Sequence, residues 1–205
     1  MFIILGWLFG LLSPTLVSRI ERRYKRNDLK IVIKNELKNL SFRLAGSYHL
    51  IQTHLGNQDK SSLAWIKSIY SKHQENCPMA VLEGIEKLLE IPDQQFAVLQ
   101  GAIKAKENVG LGLKSFSLPF TESILENMGI FDSRFQIDIL NIRDQVILLN
   151  EEIELSMYYF HLTFDTSAMN TNGEIIRNNI KKSYIVIQDR CRIIADRIEK
   201  ILECN

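Results

Sequence analysis

The chain reads as an all-α protein: an N-terminal single transmembrane helix, then a cytoplasmic multi-helix bundle ending in a long antiparallel helical hairpin. Three observations predict this. Apolar residues recur at steps of three and four along nearly the whole chain, which is the helical period. Residues 1–18 (MFIILGWLFGLLSPTLVS) carry no charged side chain, and a dense basic cluster follows at once. The domain boundaries expected from these features are an anchor at 1–18, a basic juxtamembrane segment at 19–27 and a helical cytoplasmic domain at 28–205.

The anchor comes first. Eighteen residues at 1.5 Å each reach about 27 Å, just under the roughly 30 Å hydrocarbon core of a bilayer. Arg19, Arg22, Arg23, Lys25 and Arg26 then crowd the downstream flank. Counting on to residue 34, seven basic residues face two acidic ones, Glu21 and Asp28, while only the amino terminus lies upstream. Positive charge stays on the cytoplasmic side, so the bulk of the chain is expected there. The same five residues would meet anionic headgroups, each contributing about 1 kcal/mol. A cleaved signal peptide fits less well, because no Lys or Arg precedes the apolar run and no small-x-small site follows it. Gly6 and Gly10 form a GxxxG spacing, which lets two helix backbones approach closely and invites a homodimer contact.

Beyond the basic segment, Asp28 is placed to cap a helix over 28–55, with Ile33, Leu37, Leu40, Leu44, Ile51 and Leu55 on one face and Gly56 as its stop. A shorter helix is expected over 61–73. Pro78 should open the next in its first turn, and Pro92-Asp93 should end that helix and cap another running to about residue 109. Residues 110–118 hold Gly110 and Gly112 and read as a flexible connection; a brief helix led by Pro119 closes at Gly129.

The two strongest elements come last. Ser133 and Gln136 have the spacing of a capping box. From Phe135 an apolar stripe runs through Ile139, Ile142, Val146, Leu149, Ile153, Met157, Phe160 and Phe164. A second stripe lies beside it: Ile137, Leu140, Ile147, Leu148, Leu155, Tyr158 and Leu162. So wide an apolar arc predicts a helix over 133–165 buried on more than one side, near the bundle centre. A polar connector, 166–172, leads to a final helix over 173–203, its antiparallel neighbour in a coiled-coil-like hairpin.

Charge and motifs exclude several chemistries. The chain is nearly neutral overall at +1, and the net +5 of residues 19–34 leaves the remainder acidic, without a broad basic surface for nucleic acid. Cys77, Cys191 and Cys204 are odd in number, far apart and without a CxxC pair, which suits a reducing compartment and argues against a disulfide framework or a zinc site. No phosphate-binding loop, HExxH or GxSxG occurs. No Glu stands three residues before a His, as a di-iron bundle requires. His49 and His54, five apart, point about 140° away from each other on a helix. No metal or cofactor is expected.

One arrangement bears on catalysis. Arg43 and His49, separated by Leu44-Ala45-Gly46-Ser47-Tyr48, resemble the R-x(4–6)-H ribonuclease motif of HEPN domains, which are also all-α. The resemblance covers these seven residues. It implies that Arg43 holds a scissile phosphate while His49 acts on the 2′-hydroxyl as acid or base. The residue after the arginine is usually polar in that family, and here it is Leu44. A third expectation concerns Tyr158, Tyr159, Phe160 and Phe164, whose cluster late in the long helix could line a pocket for an apolar ligand. The leading expectation is non-enzymatic: a membrane-anchored interaction or adaptor protein, with the lipid bilayer and an unidentified protein as partners.

Overall fold

The computed structural model describes residues 2–73, 75, 77–104 and 110–203, with side chains described from Val17 onward. Every regular element among them is helical. The first, α1, runs without a break from Phe2 to Leu55, about 80 Å at 1.5 Å per residue. The helix expected to start at Asp28 therefore has no separate beginning. Anchor, basic segment and first bundle helix share one rod.

Burial divides that rod. No residue from Val17 to Asp28 is buried, whereas Ile33, Leu37, Leu40, Leu44, Tyr48 and Ile51 are almost fully enclosed. The buried positions step by three and four, as a single helix face requires. The described part of α1 thus projects from the bundle before joining it. Gly56 ends the helix at φ +66°, a left-handed conformation that favours glycine.

Asp59 opens α2 (Lys60–Lys72) with a capping box: its carboxylate accepts from Ser62 N, and the Ser62 hydroxyl lies within bonding distance of Asp59 N. Pro78 and Pro92 precede α3 (Met79–Glu90) and α4 (Asp93–Ile103). Asp93 sits inside α4 rather than capping it, and pairs with Lys60 at 2.7 Å. The helix expected to run to about residue 109 ends sooner, at Ile103, because Lys104 turns out of the helical conformation with ψ 130°.

Residues 110–118 form no regular element but are firmly pinned. Leu113, Phe116 and Leu118 are buried. Asn150 grips Phe116 twice, accepting from its N–H and donating to its carbonyl, both at 2.8 Å. Leu111 N donates to the Tyr184 hydroxyl at 2.8 Å. The stretch that reads as a flexible connection is a packed strap, because three of its apolar side chains reach the core and its backbone groups find side-chain partners. It leads into α5 (Pro119–Ser123) and a 3₁₀ turn (Leu125–Ile130). The N-terminus of α5 is capped from another element: the Glu36 carboxylate on α1 accepts from Phe120 N, Thr121 N and the Thr121 hydroxyl.

The hairpin consists of α6 (Ser133–Leu162) and α7 (Thr166–Glu203). Asp132, not Ser133, caps α6 by accepting from Phe135 N at 2.9 Å, and Gln136 reaches back to the Phe131 carbonyl. The expected Ser133–Gln136 capping box is not formed: the cap is one residue earlier, and Phe135, three residues after it, has no side-chain acceptor to complete a box. The expected connector at 166–172 is instead helical, with a kink at Asn172.

The central helix is α7, packed against α1 on one side and α6 on the other. The expectation that α6 holds the centre is overturned. Only its face of Phe135, Ile139, Ile142, Val146, Leu149 and Ile153 is buried. The second stripe faces outward from Ile137 to Tyr158 and is half-buried at its end, Leu162.

Candidate functional site

Among the described residues no helix is long and apolar enough to cross a membrane, so the fold lends the expected transmembrane anchor no support. Most of residues 1–18, including Gly6 and Gly10, lie outside the described side chains. The basic segment itself is described. Arg19, Arg22, Arg23, Lys25 and Arg26 are all exposed on the projecting part of α1. At 100° per residue they spread over about 160° of the helix circumference. Val17, Ile20, Tyr24 and Ile31 occupy the opposite side and are exposed too. The segment is therefore amphipathic, a property hidden in the sequence by the density of its charges.

A buried polar cluster joins α1, the end of α2 and α7. Glu199 Oε1 accepts from the Ser41 hydroxyl at 2.7 Å and from His73 Nε2 at 2.9 Å; Lys72 lies 3.2 Å from Oε2. Burial pushes the Glu199 carboxyl up, but the bonds from His73 and Ser41 outweigh it, leaving the group below the ordinary glutamate range. Ser, His and Glu together suggest a nucleophile relay, but the order is wrong. A relay needs the imidazole between hydroxyl and carboxylate, whereas here both donors converge on one carboxylate oxygen. Ser41 is wholly buried and His73 nearly so. The cluster is a pin holding three elements together. Near it, Trp65 Nε1 donates to Asp196 at 2.6 Å and Arg192 lies over the Trp65 ring.

Arg43 and His49 are given different surroundings. Arg43 is exposed, donates to the Ser115 carbonyl at 3.4 Å and lies over the Phe116 ring. His49 Nδ1 lies 2.6 Å from Gln58 Nε2, and burial pushes the imidazole pKa down. Six residues apart, the two side chains leave α1 about 120° from each other. One serves the strap, the other the turn into α2.

The late aromatics sit towards the hairpin tip. Phe160 stacks edge-on with Phe164 and packs against Gly110, while Tyr158 and Phe164 point outward. Cys191 is enclosed, and burial pushes its thiol up to about 12, so it acts as a packing group rather than a nucleophile. No group of three or more His, Cys, Asp or Glu among the described residues is placed to hold a metal ion. A cleft of about 810 Å³ lies where α1 meets the start of α6 and the end of α7, rimmed by charges of both signs, with Lys30, Arg134, Arg197 and Lys200 set among Asp132, Asp138 and Asp196.

A departure from ordinary packing among the described residues is the outer face of α6. Ile137, Leu140, Ile147, Leu148, Leu155 and Tyr158 are each 39% to 58% exposed. They lie within about 100° of circumference, opposite the packed face, and extend over some 30 Å. Scattered apolar residues are normal on a surface; an aligned stripe marks a contact. No family model, curated protein or solved structure matches this chain.

Proposed function

We propose that this protein is a membrane-anchored helical adaptor that works by protein–protein contact. The observation that carries the reading is the continuity of α1: one helix holds the uncharged run, the basic collar and the first core face of the bundle. With the run in lipid, the collar would lie at the headgroups, with Arg and Lys near the phosphates and Ile20 and Tyr24 towards the acyl boundary. The bundle would then stand off the membrane on a stiff stem, with α6 presenting its apolar face to a partner. The positive-inside bias supports a cytoplasmic bundle.

Fractionation and protease protection test this. Full-length protein should sediment with membranes in detergent-free lysate and resist extraction by high salt and alkali. Its bundle should be digested only when the cytoplasmic side is opened. Changing Arg19, Arg22, Arg23, Lys25 and Arg26 to Glu should invert or abolish insertion. Protein that stays in the supernatant would end the proposal.

A further inference from the structure

The middle of the α6 stripe is acidic, and this selects what can lie on it. Ordered along the helix, the exposed face reads apolar (Ile137, Leu140), acidic (Asp144), apolar (Ile147, Leu148), acidic (Glu151), apolar (Leu155, Tyr158). Asp144 and Glu151 are one heptad apart, on the midline of the stripe. Arg143 at the rim approaches Asp144 at 3.4 Å, but an exposed pair of this kind neutralises little.

A second copy of the same face is a poor occupant. Two α6 helices packed in parallel about a two-fold axis set Asp144 on Asp144 and Glu151 on Glu151. The stripe is palindromic about its centre, so antiparallel packing matches Ile137 with Tyr158, Leu140 with Leu155 and Ile147 with Leu148. It also sets Asp144 on Glu151, twice. Either arrangement desolvates like charges in the centre of the contact, where they are most unfavourable. A basic counterpart keeps the apolar complementarity, removes the charge conflict and compensates the two carboxylates as they lose water.

We infer that the outer face of α6 receives an amphipathic helix of a partner protein carrying Lys or Arg one heptad apart at the middle of an apolar stripe. The inference rests on the adaptor reading and supplies the chemistry of its partner. The apolar ends give contact area, and the two carboxylates fix register and reject acidic helices.

Two synthetic helices test it, identical in a leucine stripe that mirrors α6 and differing only in Lys or Glu at the two central positions. Binding to the full chain in mild detergent is read by fluorescence anisotropy, so the outcome does not depend on whether α1 enters a bilayer. The Lys helix should bind at least tenfold tighter than the Glu helix and weaken as salt rises. Leu148→Glu should abolish that binding, and Asp144→Lys with Glu151→Lys should reverse the preference. All three positions are exposed, so the fold is expected to survive, checked by circular dichroism. Equal binding of the two helices, or none, overturns the inference. So does a wild-type chain whose mass in light scattering drops on Leu148→Glu, since the face would then already be taken by a second copy.

Discussion

The two long helices of the hairpin look alike in apolar content and take opposite roles. α6 has two apolar stripes and is packed on one; α7 has one clear stripe and is packed on two sides. The difference lies in what each buries. α7 encloses Ile187, Cys191, Ile194 and Ile198 together with Ser183, Gln188 and Glu199, so part of its second buried face is polar, and Glu199 there is held by Ser41 and His73. α6 leaves its second face apolar and uncovered. The width of an apolar arc therefore reports how much surface a helix offers for contact, and leaves open whether the contact is made within the chain.

The sharpest way to break this comparison uses adjacent residues of α6. Leu149 is wholly enclosed and Leu148 is 40% exposed. Leu149→Ala should destabilise the fold by about 3 kcal/mol, from lost transfer energy and a cavity. Leu148→Ala should change it by no more than about 0.5 kcal/mol. Urea denaturation followed by helical circular dichroism measures both. Similar losses would mean that the outer stripe is covered within the molecule.

On α7 the corresponding test is Glu199. Glu199→Ala strands the Ser41 hydroxyl and His73, while Lys72 keeps Glu203, and should cost about 2–3 kcal/mol. The pH dependence has a defined sign. Because the folded-state pKa is depressed, the carboxylate stabilises above the unfolded glutamate value, and that contribution is lost as pH falls through the folded value. Wild type should therefore lose stability more steeply than Glu199→Gln on the acid side of the ordinary glutamate range. Identical acid limbs would remove Glu199 from its role as the pin.

Local signals were legible in the sequence and cross-chain ones were not. The core face of α1 follows from the spacing of Ile33, Leu37, Leu40, Leu44 and Ile51, and the stop at Gly56 from its residue type. The Glu199 pin joins residues more than 120 positions apart, and nothing near Glu199 distinguishes it from a solvated glutamate at the edge of an isoleucine stripe. Glu36, which caps α5 from 84 positions away, is equally silent. The strap misled because Gly110 and Gly112 suggest freedom, while the buried Leu113, Phe116 and Leu118 follow no regular period that would mark one packed side. For the candidate contact face the sequence showed both stripes of α6 but not which one remains open.

Asn150 gives a smaller effect on the packed flank of α6. Its amide makes both hydrogen bonds to Phe116, so Asn150→Ala should cost about 1–2 kcal/mol, and Asn150→Asp should restore only the bond from Phe116 N. Hydrogen exchange at Phe116 should accelerate in Asn150→Ala and much less in Asn150→Asp, which still accepts from that amide. Unchanged exchange would mean that the strap is held by its apolar side chains alone.

The smallest predicted effect decides where α6 begins. Ser133 with Gln136 matches the capping-box pattern, yet in the fold Ser133 is the first helical residue and Asp132 holds the Phe135 amide. The bond from Phe135 N keeps the Asp132 carboxyl below the usual aspartate range, so its capping is present above that range and fades as pH falls through the lowered value. Asp132→Ala should cost about 1 kcal/mol near neutral pH, and Asp132→Asn much less, because the amide oxygen still caps. Ser133→Ala should be close to neutral, since its hydroxyl occupies no cap. If Ser133→Ala proves the costlier change, the helix starts one residue later in solution, where the sequence pattern alone would put it. Positions along α6 are unmoved by that shift, so the outer stripe and its two carboxylates would keep their alignment in either case.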